Sequence, residues 1–496
     1  MYEQLYFALR KRILHGELAP GSRLASTRAF AAGLGVSRFT VVSAMERLFA
    51  EGYLTAHRGA GTFVVDTLPE QMMRPARDGR ARLTADEPST LPTLSRRGLA
   101  LSAVVITGPR SERDEPRPFH PRRTPLDVFP LRNWGRLIRS QWDEHHRQQL
   151  DYGEPAGYHP LRDAIAQHVV VTRGVHCSAQ QVVVTSGSQQ AFDILFRLLL
   201  DPGDKVWIEE PGCLDVRGAL IGAGVTLVPI PVDECGIDVS EGMRRAPEAR
   251  LAVVSPSHQY PTGATLSATR RLAILEWAGR GGSWIVEDDY DSYFRYRGRP
   301  MSALQGLDSG VSNSERSSPR VVYVGTFSKT MFPSLRLGFC VVPESLVDAV
   351  ANARAVAGRN SPIDAQAALA EFIVDGHYDR HLRRVRLVCQ ERYEAMCFHF
   401  ARVLGGVVSL SPASAGTHVL GWVHDEPRAG DHESFVASVS RIASEDDLVV
   451  FRLSRYCLEP PARDAFVLGY GSLSPHRIAV GVERLARSIE RARRRL

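Results

Sequence analysis

The sequence predicts a multidomain chain: a small α+β head, a flexible connection, and a large α/β body closed by a smaller C-terminal α+β subdomain. Three observations carry this. Residues 1–65 show helical apolar spacing followed by a short alternating stretch, periodicity fades from Asp66 to about Pro118, and from Phe119 strands alternate with helices. At 496 residues the chain exceeds what one hydrophobic core serves. The expected division is a head at 1–66, a linker at 67–118, a large domain at 119–342 and a small subdomain at 343–496.

The head reads as three helices and a hairpin. The first covers Tyr2–His15, with Leu5, Leu9, Ile13 and Leu14 at helical spacing, and stops at Gly16 before Leu18-Ala19-Pro20-Gly21. The second runs from Ser26 or Thr27 to Leu34, either residue serving as its cap. Gly35-Val36-Ser37 is a tight turn with Ser37 as N-cap of a third helix, Arg38–Ala50, whose core stripe is Val41, Val42, Met45 and Leu48. Tyr53–Val65 alternates as two strands around a glycine-containing tip, His57-Arg58-Gly59-Ala60-Gly61.

The linker is rich in Pro, Arg, Ser, Thr and Asp, and contains one apolar patch, Leu99–Ile106, suited to docking on a neighbouring domain. Strands follow at Val182–Thr185, Lys205–Glu209, Thr226–Ile230, Leu251–Ser255, Trp284–Asp288 and Val321–Gly325. Gln305–Arg320 reads as a polar surface loop, and after Val342 longer helices with a few strands are expected. Composition narrows the function classes. With 44% hydrophobic and 23% charged residues the chain is of ordinary globular type, and no apolar run reaches the ~18–20 residues of a membrane span. The N-terminus lacks the apolar core of a signal peptide. Seven scattered cysteines without a CxxC pair argue against disulfides and zinc, and fit a reducing cytoplasm. No metal site is expected.

Charge is uneven. Residues 1–65 hold eight Lys/Arg (10, 11, 12, 23, 28, 38, 47, 58) against four Asp/Glu (3, 17, 46, 51), an excess of four in the first eighth of the chain. Such a bias suits a nucleic-acid partner. On the third helix Arg38 and Thr40 are placed to reach base edges, with Ser37, Ser43 and Arg47 on the same polar face; Arg28, Arg47 and Arg58 are placed for phosphates, and Gly59 and Gly61 let the hairpin approach a duplex. The segment GELAPGSRLASTRAFAAGLGVSRFTVVSAMERLFAEGYLTAHRGAGTFV resembles the GntR-type winged helix-turn-helix, with Ala25 where that family usually has Pro. The resemblance implies binding to a double-stranded DNA operator.

Of 61 basic residues only three are lysines: Lys11, Lys205 and Lys329. A lysine amine can lose its proton and form a Schiff base, which a guanidinium cannot. Lys329 lies just after a strand in Gly325-Thr326-Phe327-Ser328-Lys329, with Thr326 and Arg336 nearby to clamp a phosphate. Thr185-Ser186-Gly187-Ser188-Gln189-Gln190-Ala191 turns from a strand into an apolar helix, exposing backbone N–H groups for the same purpose. Val286-Glu287-Asp288-Asp289-Tyr290-Asp291 ends a strand with a carboxylate, Asp288, able to hold a pyridine nitrogen protonated, and with Tyr290 able to bond a phenolic oxygen. Ser255-Pro256-Ser257-His258-Gln259-Tyr260-Pro261-Thr262-Gly263 is a loop at a strand end, where α/β folds place ligands. These are the requirements of pyridoxal 5'-phosphate.

In this order the segments, with Tyr152-Gly153-Glu154-Pro155-Ala156-Gly157 and GTFSKTMFPSLRLG, resemble fold-type I aminotransferases and more closely the MocR subfamily of GntR-type transcription regulators. The likeness runs strongly from Tyr152 to about Val342. It implies a PLP-dependent transcription regulator, not an enzyme, sensing an amino compound, or the cofactor itself, through an aldimine at Lys329. It also implies a head-to-tail homodimer. Two departures stand out: Cys213 occupies the place of a ring-stacking aromatic, and Tyr260 that of the aminotransferase Asn before Pro-Thr-Gly. The second favours sensing over turnover. By the same resemblance Arg455, and behind it Arg217, are candidates to meet an effector carboxylate. The alternative is an active PLP-dependent aminotransferase with an accessory DNA-binding head, for which residual transaminase activity would be the sign.

Overall fold

The computed structural model describes residues 1–57, 60–69, 94–104, 117–142, 151–298, 301–311, 318–424 and 434–495. It divides into two compact units, Met1–Thr93 and Leu94–Leu496. In the first, α1 (Tyr2–Leu14), α2 (Thr27–Leu34) and α3 (Arg38–Ala50) precede the antiparallel pair β1 (Leu54–His57) and β2 (Gly61–Val64). Their starts and stops follow local chemistry. Ser26 Oγ accepts from Ala29 N–H at 3.2 Å, Ser37 Oγ accepts from Thr40 N–H at 3.1 Å, and Gly35 ends α2 in the left-handed region at φ 64°. The core gathers Tyr6, Leu9, Ile13, Leu24, Val41, Ala44, Met45, Leu48, Leu54 and Val64. Two stripe expectations shift here: Leu14 is exposed and Val42 half-buried, while Tyr6 and Ala44 point inward. Tyr6 buries its ring because its hydroxyl reaches Glu51.

The second unit is built on an eight-stranded sheet. Its strands are β3 (Val182–Thr185), β4 (Lys205–Glu210), β5 (Thr226–Asp233), β6 (Gly236–Ile237), β7 (Leu251–Val254), β8 (Trp284–Asp289), β9 (Val321–Thr326) and β10 (Gly338–Val341), in the spatial order β3-β10-β9-β8-β7-β4-β5-β6. The pairs β5–β4–β7–β8–β9 are parallel, and β10 runs antiparallel between β9 and β3. Buried on both faces, β3, β7, β8, β9 and β10 carry no alternation of burial, whereas β5 toward the edge is mostly half-buried or exposed. Two strands, β10 and the two-residue β6, are absent from the sequence-based strands.

Gln305–Arg320 departs from the expected loop: a helix spans Gln305–Val311. Its start is tied from a distance, since the buried Glu287 carboxylate on β8 accepts from the N–H groups of Leu304 and Gln305, each at 2.9 Å. A tertiary partner supplies the cap that the local sequence lacks. The remaining residues 312–317 lie outside the described residues, as do most of the expected linker (70–93 and 105–116). Within the apolar patch a helix, Arg96–Ser102, lies against the helix Leu214–Ala223, with Leu101 seated at Gly222.

The C-terminal part carries the long helices His377–Leu404 and Pro475–Arg495 against an antiparallel sheet of β11 (Val408–Leu410), β12 (His418–Val423), β13 (Phe451–Arg452) and β14 (Phe466–Gly469), ordered β11-β12-β14-β13. Its core also takes in Phe119. Among the described residues no helix is long and apolar enough to cross a membrane.

Candidate cofactor cavity and nucleic-acid interface

The two capped helices α2 and α3 form a helix-turn-helix whose second helix shows its first turn to solvent. Arg38 is exposed there, Phe39 is 79% exposed, and Arg28 is exposed on α2. Thr40 is half-buried and shares a 2.8 Å hydrogen bond with the Ser37 hydroxyl, so both hydroxyls are partly engaged in capping. Arg47 is exposed on the same helix, where its Nε donates to Glu51 at 3.1 Å and its guanidinium lies 4.2 Å over the Tyr6 ring. Arg58 and Gly59, expected at the wing tip, lie outside the described residues. Arg23, which the pattern did not single out, sits beside the wing, its Nε 2.9 Å from where a side chain on Gly61 would begin.

In the body a cavity of about 250 Å³ opens at the ends of β3, β8 and β9. It lies outside the carboxyl ends of the parallel strands β8 and β9, where α/β sheets usually bind ligands. It brings together Ser188, Gln189, Asp288, Tyr290, Thr326, Lys329 and Arg336, residues spread over three motifs of the sequence. Tyr260 and Cys213 also line it.

One end of the cavity is an anion cradle. The helix Ser188–Leu199 begins at Gly187 with no side chain capping it. Gly187 holds φ 93°, and a Cβ there would lie 3.5 Å from the Arg336 guanidinium. Open N–H groups, the positive end of a helix and a guanidinium thus converge. Thr326 Oγ1 accepts from Ser328 N–H at 3.2 Å, which orders the turn that leads to Lys329.

The other groups are set by burial. Lys329 Nζ donates to the carbonyl of Arg122 at 2.7 Å. Burial, and next the Arg122 charge, lower its pKa to about 8, so a useful fraction of neutral amine exists near neutrality. Asp288 is 7% exposed, and no described residue hydrogen-bonds its carboxylate. Burial first, then Asp289 and Glu209, push its pKa well up, so the ionised form calls for a cationic partner from within the cavity. Tyr290 OH lies 3.1 Å from His258 Nδ1, which itself meets Asp291 at 2.8 Å; burial drives the phenol pKa well up and keeps it protonated. Burial likewise pushes the Cys213 thiol to about 12.

Arg217 and Arg455 are not among the lining residues. Arg217 donates to the carbonyls of Tyr456 at 2.6 Å and Cys457 at 3.3 Å, and lies 3.7 Å from Glu210; Arg455 lies 4.8 Å over the Phe451 ring. The arginine that does line the cavity beside Lys329 is Arg122, in an ion pair with Asp215. Neither partner belongs to a recognisable motif, and only Arg122's place in a Pro-Arg-Arg run near the start of the body hints at anything unusual. Thr417 and His418, from the far β12 region, complete the wall.

A winged head with a solvent-facing second helix, joined in one chain to an α/β body with a lysine-bearing cavity, defines a DNA-binding regulator with an aminotransferase-like second domain. Residues 1–64 match the family of bacterial regulatory proteins, gntR family, and residues 131–444 match aminotransferase class I and II. The chain is 38% identical to a probable rhizopine catabolism regulatory protein, MocR, of Rhizobium meliloti, over 98% of this chain and 93% of that one. It is 32% identical to the transcriptional regulator TauR of Rhodobacter capsulatus, covering 96% and 94% of the two chains. The pyridoxine biosynthesis regulator PdxR of Corynebacterium glutamicum is 28% identical over 95% and 91%. By fold, a multiple substrate aminotransferase of Thermococcus profundus superposes with TM-score 0.69 at 22% identity, covering 81% of this chain and 98% of that chain. The chain belongs to the MocR group of GntR-type transcription regulators, in which a helix-turn-helix head is fused to an aminotransferase-like domain.

Proposed function

We propose that this regulator holds pyridoxal 5'-phosphate in the cavity and controls the occupancy of a double-stranded DNA operator in response to a small amino compound that reaches Lys329. The observation that carries the reading is the convergence of Lys329, Asp288, Tyr290 and the Gly187–Arg336 cradle on one 250 Å³ space. The residues fit the group. Arg336, Thr326 and the N–H groups at Ser188 and Gln189 suit its phosphate, Asp288 suits a pyridinium N–H, and Tyr290 suits a phenolic oxygen. When bound, pyridoxal phosphate supplies an aldehyde carbon that one amine at a time can hold.

Lys329 supplies the resident amine, and its lowered pKa lets it leave and return near neutral pH. With the cofactor bound, an effector amine would compete with Lys329, and the Arg122 carbonyl is placed to accept from a free Nζ. The change of contacts biases the body between two arrangements and so repositions DNA heads paired in a head-to-tail homodimer. The relatives named for rhizopine catabolism and pyridoxine biosynthesis support small-molecule control of transcription. On the head, Arg28, Arg38 and the wing residues Arg58 and Gly59 meet the duplex, with Ser37 and Thr40 shaping the helix start; the expected division at 66, 118 and 342 separates reader, linker, large domain and small subdomain.

The test is the visible spectrum of the cofactor-loaded protein with parallel measurement of operator affinity. Amines that shift the cofactor band are expected to change DNA affinity, and Lys329→Ala is expected to lose the band. Stoichiometric keto product from an amino donor would instead assign an aminotransferase. Arg38→Ala is expected to weaken DNA binding at least several-fold, with strong salt dependence in the parent; unchanged binding at moderate salt overturns the reading of α3.

A further inference from the structure

Among the described residues, the Arg122–Asp215 pair is the charged contact inside the cavity that the proposed cofactor does not use. Arg122 sits at φ 73°, a conformation that side-chain-bearing residues rarely adopt. From there its carbonyl accepts Lys329 Nζ at 2.7 Å while its guanidinium forks onto the Asp215 carboxylate, Nη1 to Oδ1 at 3.2 Å and Nη2 to Oδ2. Asp215 lies in the first turn of the helix Leu214–Ala223, which also favours its negative charge. The pair is therefore two-pronged, partly shielded from water, and placed beside the nitrogen that an effector amine must replace.

In this reading each cation of the described lining already has a role. Lys329 is the resident amine, Arg336 faces the anion cradle, and Arg122 is neutralised by Asp215. The three cations of the wall (Arg122, Lys329, Arg336) face three carboxylates (Asp215, Asp288, Asp291), so an added phosphate tips the cavity negative. A second carboxylate entering with the effector meets that field and must break the Arg122–Asp215 fork. A hydroxyl can accept from Arg122 and donate to Asp215 with the fork intact. Thr417 and His418 add neutral hydrogen-bonding groups to the same wall, burial holding the imidazole well below its ordinary pKa and uncharged.

We propose that the Arg122–Asp215 pair sets effector specificity, selecting hydroxylated primary amines without a carboxylate over α-amino acids. This rests on the reading of the cavity as a cofactor-dependent amine sensor. The test titrates the cofactor-loaded full-length protein with the matched pair serinol and serine, which differ by hydroxymethyl for carboxylate. The readouts are the visible band and calorimetric binding. Serinol is expected to act at a concentration at least ten-fold lower than serine. Asp215→Asn, which leaves the guanidinium without its anion, is expected to reverse that order, and Arg122→Gly, suited to the positive φ, to widen it. Tighter binding of serine by the parent, or an order unmoved by both variants, overturns the inference while leaving amine sensing in place. If neither amine binds or shifts the band of any cofactor-loaded form, amine sensing itself fails, and the inference with it.

Discussion

The pKa of Lys329 can be tested through Arg122. An amine with a pKa of about 8 is roughly 10% neutral at pH 7, whereas an ordinary lysine near 10.4 is about 0.04% neutral. Burial and the Arg122 charge thus raise the reactive fraction by roughly 200-fold. Replacing Arg122 with glycine keeps the carbonyl that accepts from Nζ and suits φ 73°, but removes the second-largest cause of the shift. Asp215 and Asp291, which favour the ammonium, then act against burial without the opposing guanidinium. The pKa is expected to rise by on the order of one unit, and the neutral fraction at pH 7 to fall about ten-fold. Cofactor uptake by the apo protein, followed by stopped-flow absorbance across pH 6 to 10, reads this directly. In the parent the rate climbs with pH and levels off above about 8, and in Arg122→Gly the midpoint moves to higher pH. A parent midpoint near that of an ordinary lysine refutes the argument from burial, and an unmoved midpoint in the variant refutes the argument from Arg122.

Arg173→Ala removes the guanidinium that donates to Asp289 Oδ2 at 2.8 Å and to Ser257 at 2.6 Å, in a site where both side chains of the ion pair are almost fully buried. Asp289 keeps the Ser292 and Tyr323 hydroxyls but loses its counter-charge, which is expected to cost about 3–5 kcal/mol in chemical denaturation of the body; a loss below about 1 kcal/mol would mean that those hydroxyls, water or relaxation replace the pair. Ser37→Ala deletes the cap of α3 and is expected to destabilise the head by about 1 kcal/mol, seen as an earlier calorimetric transition; an unmoved transition argues that the cap is dispensable. Gly187→Ala forces a Cβ onto φ 93° at 3.5 Å from Arg336 and is expected to weaken cofactor affinity about ten-fold by equilibrium dialysis, for a strain of roughly 1–2 kcal/mol. Unchanged affinity would show that the cradle is not where the phosphate binds.

Much of the chain was legible because its determinants are local. Ser26, Gly35 and Ser37 delimit the head helices through contacts three or four residues away, and the apolar runs of β3, β4, β7, β8 and β9 are bounded by turn residues. The motifs carrying Ser188, Asp288, Lys329 and Arg336 were recognisable one by one, since a strand end followed by a small or charged residue has few uses. Their meeting in one cavity, however, follows from the order of the strands, which no segment encodes alone. The helix Gln305–Val311 reads as a loop in the sequence because its cap is Glu287, 18 residues earlier. Arg122 carries no local signal for the same reason: its partner Asp215 stands 93 residues away. By itself the sequence determined the elements whose starts and stops are set locally, and the chemical groups they carry. Only the tertiary structure decided which groups face one another, because burial and charge pairing are set by distance in space and not by distance along the chain.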